Sequence, residues 1–104
     1  MYDVAATDLF AVYDQLKGKY DLVLTTTAAL DEGFTIDVPV IVGRAHGKIV
    51  QLYNDGCDFV LDVMDAAKTK GTHWHPCDVS SAVEDIVEFM EEEKDYHMYP
   101  FKQV

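Results

Sequence analysis

Apolar side chains recur at two different periods along this chain, and the change of period divides it into a helix, a run of strands and a second helix. From about Val4 to Lys17, Leu9, Val12, Tyr13 and Leu16 follow the 3.6-residue spacing of a helix. Val4 and Ala5 extend that stripe backward, and Asp3 or Thr7 is a candidate N-cap. Lys17 and Lys19 sit where a helix C-terminus favours positive charge, and Gly18 suits a left-handed stop.

The pattern then shifts to period two. Leu22 to Ala29 has the β-branched composition of a strand, and Asp31-Glu32-Gly33 reads as a turn. Phe34, Ile36, Val38, Val40 and Val42 alternate cleanly, with Pro39 in the opposite phase. A proline cannot donate a ladder hydrogen bond, so Pro39 predicts an edge position or a bulge. Gly43 to Gly47 reads as the next turn, and Lys48 to Tyr53 as a third strand apolar on both faces. Asn54-Asp55-Gly56 is a hairpin signal. Phe59 to Met64 forms a fourth strand, Ala66 to Gly71 a turn, and Thr72 to His75 a short fifth strand. All six glycines (Gly18, Gly33, Gly43, Gly47, Gly56 and Gly71) fall between apolar segments, where turns and helix stops require positive φ.

Helical spacing returns over Val79 to Glu93. Val79, Ala82, Val83, Ile86, Val87 and Met90 make one stripe, widened by Phe89. Asp78 is the natural N-cap, and Pro76 keeps the helix from starting earlier. The outer face carries Glu84, Asp85, Glu88, Glu91 and Glu92. Acids at a helix C-terminus oppose the dipole by about 0.3–1 kcal/mol each. Selection for helix stability alone would not put them there, so they mark a candidate binding face, a solvated face that serves solubility being the plainer alternative.

Hairpin-length connections imply an antiparallel meander, and two helices with one apolar stripe each must cover it or one another. The expected fold is a two-layer α+β domain spanning residues 1–104: N-terminal helix, five-strand antiparallel meander, C-terminal helix. The aromatic tail, residues 95–104, would fold back onto the core or dock on a second copy.

Composition narrows the function classes. The chain has 104 residues, 49% of them hydrophobic, which is enough for one cored domain. With 19 acidic and 8 basic side chains its formal net charge is −11. That charge repels phosphates and argues against nucleic acid as a partner. No apolar stretch is long enough to span a membrane, and the N-terminus lacks the form of a signal peptide, so a cytoplasmic location is expected. Cys57 and Cys77 are then expected to stay reduced. The motifs GxGxxG, GxxxxGK[ST], GxSxG and HExxH are absent, which takes support from nucleotide-dependent and standard hydrolase readings. No Asp-x-Asp-x-Asp-Gly loop supports calcium binding.

The densest chemistry lies in Thr72-His73-Trp74-His75-Pro76-Cys77-Asp78. On a strand, His73 and His75 project to one face and Trp74 to the other. Two imidazoles so placed, with Cys77 as thiolate, are candidate zinc ligands, a fourth coming from Asp62, His46 or His97. The spacing matches no established zinc motif. Cys77 before a helix, with His75 and Asp62, is also the raw material of an activated thiol. The plainer arrangement has Trp74 anchoring the strand, both histidines in solvent and Asp78 capping the helix. Three expectations follow. The first is a non-enzymatic domain that binds a basic protein through Glu84, Asp85, Glu88, Glu91, Glu92 and Trp74, with no cofactor; an inhibitor or immunity-type protein is one concrete version. The second is a zinc protein or metalloenzyme built on His73, His75 and Cys77. The third is a homodimeric structural domain assembled through strand edges and the aromatic tail.

Overall fold

The computed structural model describes residues 6–31, 34–56 and 58–101. Asp3, Val4, Ala5, Glu32, Gly33, Cys57 and the last three residues of the tail lie outside the described residues. Helix α1 spans Ala6–Leu16, followed by strands β1 (Leu22–Asp31), β2 (Phe34–Ala45), β3 (Lys48–Asn54), β4 (Phe59–Asp65) and β5 (Lys70–Trp74). Helix α2 covers Val79–Glu91, and a two-residue strand β6, Tyr99–Pro100, closes the order. The sheet runs β1-β2-β3-β4-β5-β6 with every neighbouring pair antiparallel. The expected α+β arrangement is therefore present, with a sixth strand added from the tail.

The register sorts the side chains onto two faces. Leu24, Ile41, Leu52, Leu61 and Trp74 form one cross-strand row, and Leu22, Gly43, Val50, Val63 and Thr72 form the row beside it. Directly opposed residues share a face, so both rows face the same way. They meet Leu9, Val12 and Leu16 of α1 and Ala82, Ile86 and Phe89 of α2 in a single buried cluster. Both helices thus cover one side of the sheet and also touch each other. Each fully buried Leu, Ile, Val or Phe contributes about 1.5–3 kcal/mol relative to leaving it exposed. The opposite face bears no helix, yet Val40, Ile49, Val60 and Met64 on it are also buried.

The glycines depart from the turn reading in an informative way. Gly43 lies inside β2, not in a turn, because a Cβ there would stand 2.7 Å from Leu22 Cδ2 and 3.2 Å from Met90 Sδ. The turn is instead His46-Gly47, whose φ values of 55° and 72° suit a two-residue hairpin between paired Ala45 and Lys48. Gly71 likewise sits within β5, under the ring of Phe101 and 2.9 Å from the Val63 carbonyl oxygen as measured from a virtual Cβ. Gly18 is not in the left-handed region, and Thr7 lies inside α1, where it cannot cap. The α1 end closes through Lys17 N to Tyr13 O and Lys19 N to Leu16 O instead.

Other local signals hold. Asp78 caps α2 in an extended conformation, its carboxylate accepting from Ser81 N at 2.8 Å. Asn54 Oδ1 accepts from Gly56 N at 2.8 Å at the head of the β3–β4 loop. Pro39 lies one residue beyond the first β2–β3 pair, Val40 with Tyr53, where β2 has lost its β3 neighbour. At the β4–β5 turn, Asp65 accepts from the Thr69 and Lys70 backbone N–H groups and from the Thr69 hydroxyl. Those bonds, with the Thr69 hydroxyl foremost, hold its carboxyl below the usual range. Any stability it adds is present above the unfolded-state pKa and is lost as pH falls through the lower folded value.

Candidate functional site

The end of β5, the outer side of α2 and the returning tail converge on one groove of about 340 Å³, lined by Trp74, Asp85, Glu88, Lys94 and Tyr96. Each wall has a local cause. Trp74 points to the helix side by strand alternation and packs partly buried against the core. Its indole N–H donates to Asp85 Oδ2 at 2.8 Å, tying β5 to the second turn of α2. Tyr96 stacks on Trp74, with ring centroids 6.1 Å apart and planes 14° from parallel. Phe89, fully buried, supports Tyr96 from below at 6.3 Å. Lys94 bonds the Glu88 carboxylate and holds its Nζ 5.6 Å from the centre of the Tyr96 ring.

The field in the groove is negative. Burial first, and then Glu88, Asp85 and Glu92, push the Tyr96 hydroxyl above its ordinary value, while Lys94 pulls it back. Glu84, Glu91 and Glu92 extend the charge along exposed positions of the helix, and Glu91 accepts from the Tyr20 hydroxyl at the α1–β1 loop. Among the described residues, Glu88–Lys94 is the one ion pair on this face. No basic residue occupies the last turn of α2; His46 Nε2 lies 3.3 Å from the Met90 carbonyl oxygen there.

Trp74, Asp85 and Glu88, expected from sequence as binding residues, are therefore brought together. Lys94 and Tyr96 were missed. Their only prior sign was the aromatic character of the tail, because nothing in local spacing places residue 96 against residue 74.

His73 and His75 project from the helix-free side and are exposed, their rings 5.9 Å apart. His75 Nδ1 faces the Phe59 carbonyl oxygen at 3.0 Å, and Cys77 Sγ lies 3.4 Å from Ser81 Oγ. Imidazole and thiol are thus engaged with different partners. Among the described residues, no group of three His, Cys, Asp or Glu side chains is arranged to hold a metal. A second groove of about 440 Å³ runs beside His73, lined on the same side by Asp62, Gly71, Tyr99 and Phe101. Asp62 is the direct cross-strand partner of His73.

Burial drives the Asp62 carboxyl above its ordinary range, with His73 and then His75 opposing. The folded state therefore holds this proton more tightly than the unfolded chain, so ionised Asp62 works against folding as pH rises. Asp62→Asn is expected to raise Tm at pH 7, with the gain vanishing below about pH 4, where both states are protonated. Thermal melts across that range check it; an equal gain at both ends would assign the effect to packing.

Comparison with protein families, with curated proteins and with solved structures gave no match. Among the described residues, no helix is long and apolar enough to cross a membrane.

Proposed function

We propose that this domain works by binding another protein of basic character through the acidic outer face of α2. The observation that carries the reading is the placement of Glu84, Asp85, Glu88, Glu91 and Glu92 on one helix that borders an aromatic-walled groove. A charged patch of one sign speeds encounter with an opposite surface, and aromatic side chains are the usual anchors once contact is made. An inhibitor or immunity-type protein that covers the basic groove of a target is one concrete version. A second copy of this chain is a poorer occupant, since a net charge of −11 sets like against like. The zinc alternative on His73, His75 and Cys77 has less behind it, because their polar atoms address other partners.

The reading is tested by titrating nona-arginine into isotope-labelled full chain at low salt and following amide and indole NMR shifts. The expected changes concentrate on α2 from Glu84 to Glu92 and on the Trp74 indole N–H, and reverse at high salt. Changes spread evenly over Asp14, Asp21, Asp37 and the other exposed acids, or centred on Asp62 and His73, contradict it.

A further inference from the structure

We infer that the Trp74–Tyr96 groove is a seat for an arginine side chain of the partner, and that Lys94 occupies it as a built-in stand-in until that arginine arrives. The inference rests on the protein-binding reading above and adds the ligand chemistry and the residue that regulates access.

Lys94 already makes the two contacts that a bound cation would make. Its ammonium pairs with Glu88 and lies over the face of Tyr96. Both contacts are modest, because the side chain stays half exposed and water screens the pair. An intramolecular pair of this kind is strong enough to hold the seat and weak enough to be displaced.

The walls favour guanidinium over ammonium. Trp74 and Tyr96 present nearly parallel faces, a surface on which a planar delocalised cation stacks. Asp85 spends one oxygen on the Trp74 indole and leaves the other to accept, and Glu88 stands one turn further along α2. Two carboxylates at that spacing offer a forked donor more partners than they offer a point charge. An ammonium gains little over the lysine already in place.

The chain has a single tryptophan, so its emission reports on the groove alone. Binding of nona-arginine and nona-lysine is measured on the full chain, on Lys94→Met and on Lys17→Met. Lys17 is the matched control, an ion-paired lysine just past the end of α1 and outside the groove, bonded to Asp14 at 3.0 Å. Removing a competitor raises apparent affinity by the reciprocal of the fraction of time the site stood open. Lys94→Met is expected to bind nona-arginine about three- to tenfold more tightly than Lys17→Met does. Nona-arginine is expected to outbind nona-lysine and to shift Trp74 emission. Equal gains in the two variants would show only a change of net charge and refute the stand-in role. Equal binding of both peptides with no change in emission refutes the arginine seat, even where NMR places the peptide on α2. Absence of any peptide-induced shift on α2 instead removes the underlying binding reading, and this inference with it.

Discussion

Phe89→Ala is expected to cost about 3–5 kcal/mol of folding free energy, the usual loss for an aromatic truncated in a packed core. Phe89 is 1% exposed and belongs to the cluster joining both helices to the sheet. Truncation leaves a void in the cluster shared by both helices and the sheet. For a domain of ordinary stability, about 5–15 kcal/mol, this is a large share of the total. The same ring supports Tyr96, so the loss carries through to the groove. Urea unfolding should show a much lower midpoint, and near-ultraviolet dichroism of Trp74 should weaken under native conditions as Tyr96 loses its footing. A loss under about 1 kcal/mol would mean that α2 does not pack on the sheet through this residue.

The cost of the acidic face points the same way as its geometry. Glu91 ends α2 and Glu92 is its C-cap, where the helix dipole already concentrates negative charge. The offsetting contacts described at the tip are His46 beside the Met90 carbonyl and the Tyr20 hydroxyl donating to Glu91. Binding surfaces are commonly kept at some expense in stability, and this face fits that pattern.

Much of the fold could be read directly from the sequence, because each element turns a face to the buried cluster between sheet and helices and side-chain period then records it. Alternation of Phe59, Leu61 and Val63 in β4 and the α2 stripe ending at Met90 both reflect burial on the helix side of the sheet. The Asp78 cap was legible for a similar reason, since a short carboxylate three residues before Ser81 satisfies a free helix N–H locally. Strand β6 was not legible. It is two residues long and held by backbone pairing of Tyr99 with Gly71 and by Phe101 N donating to Thr69 O, neither of which leaves a side-chain pattern. Gly43 and Gly71 misled for a related reason. Each makes room for a side chain distant in sequence, Met90 or Phe101, and that demand looks identical to a turn when only neighbours are visible. The candidate site divides the same way. The helix face and Trp74 were legible from composition and phase, whereas Tyr96 and Lys94 reach Trp74 and Glu88 only through the path of the tail.

Whether location or mere quantity of charge governs binding is the central question, and a pair of charge-matched variants answers it. One carries Glu84→Lys, Glu88→Lys and Glu92→Lys on α2; the other carries Asp14→Lys, Asp21→Lys and Asp37→Lys at exposed positions elsewhere. Both have the same net charge, so generic attraction for a cation falls equally in the two. Only the first also removes the carboxylate paired with Lys94 and the acids flanking it. Affinity for nona-arginine, measured at one low ionic strength, is expected to fall at least about tenfold further in the α2 variant, a difference of about 1.4 kcal/mol. Equal affinities in the two variants would contradict the account.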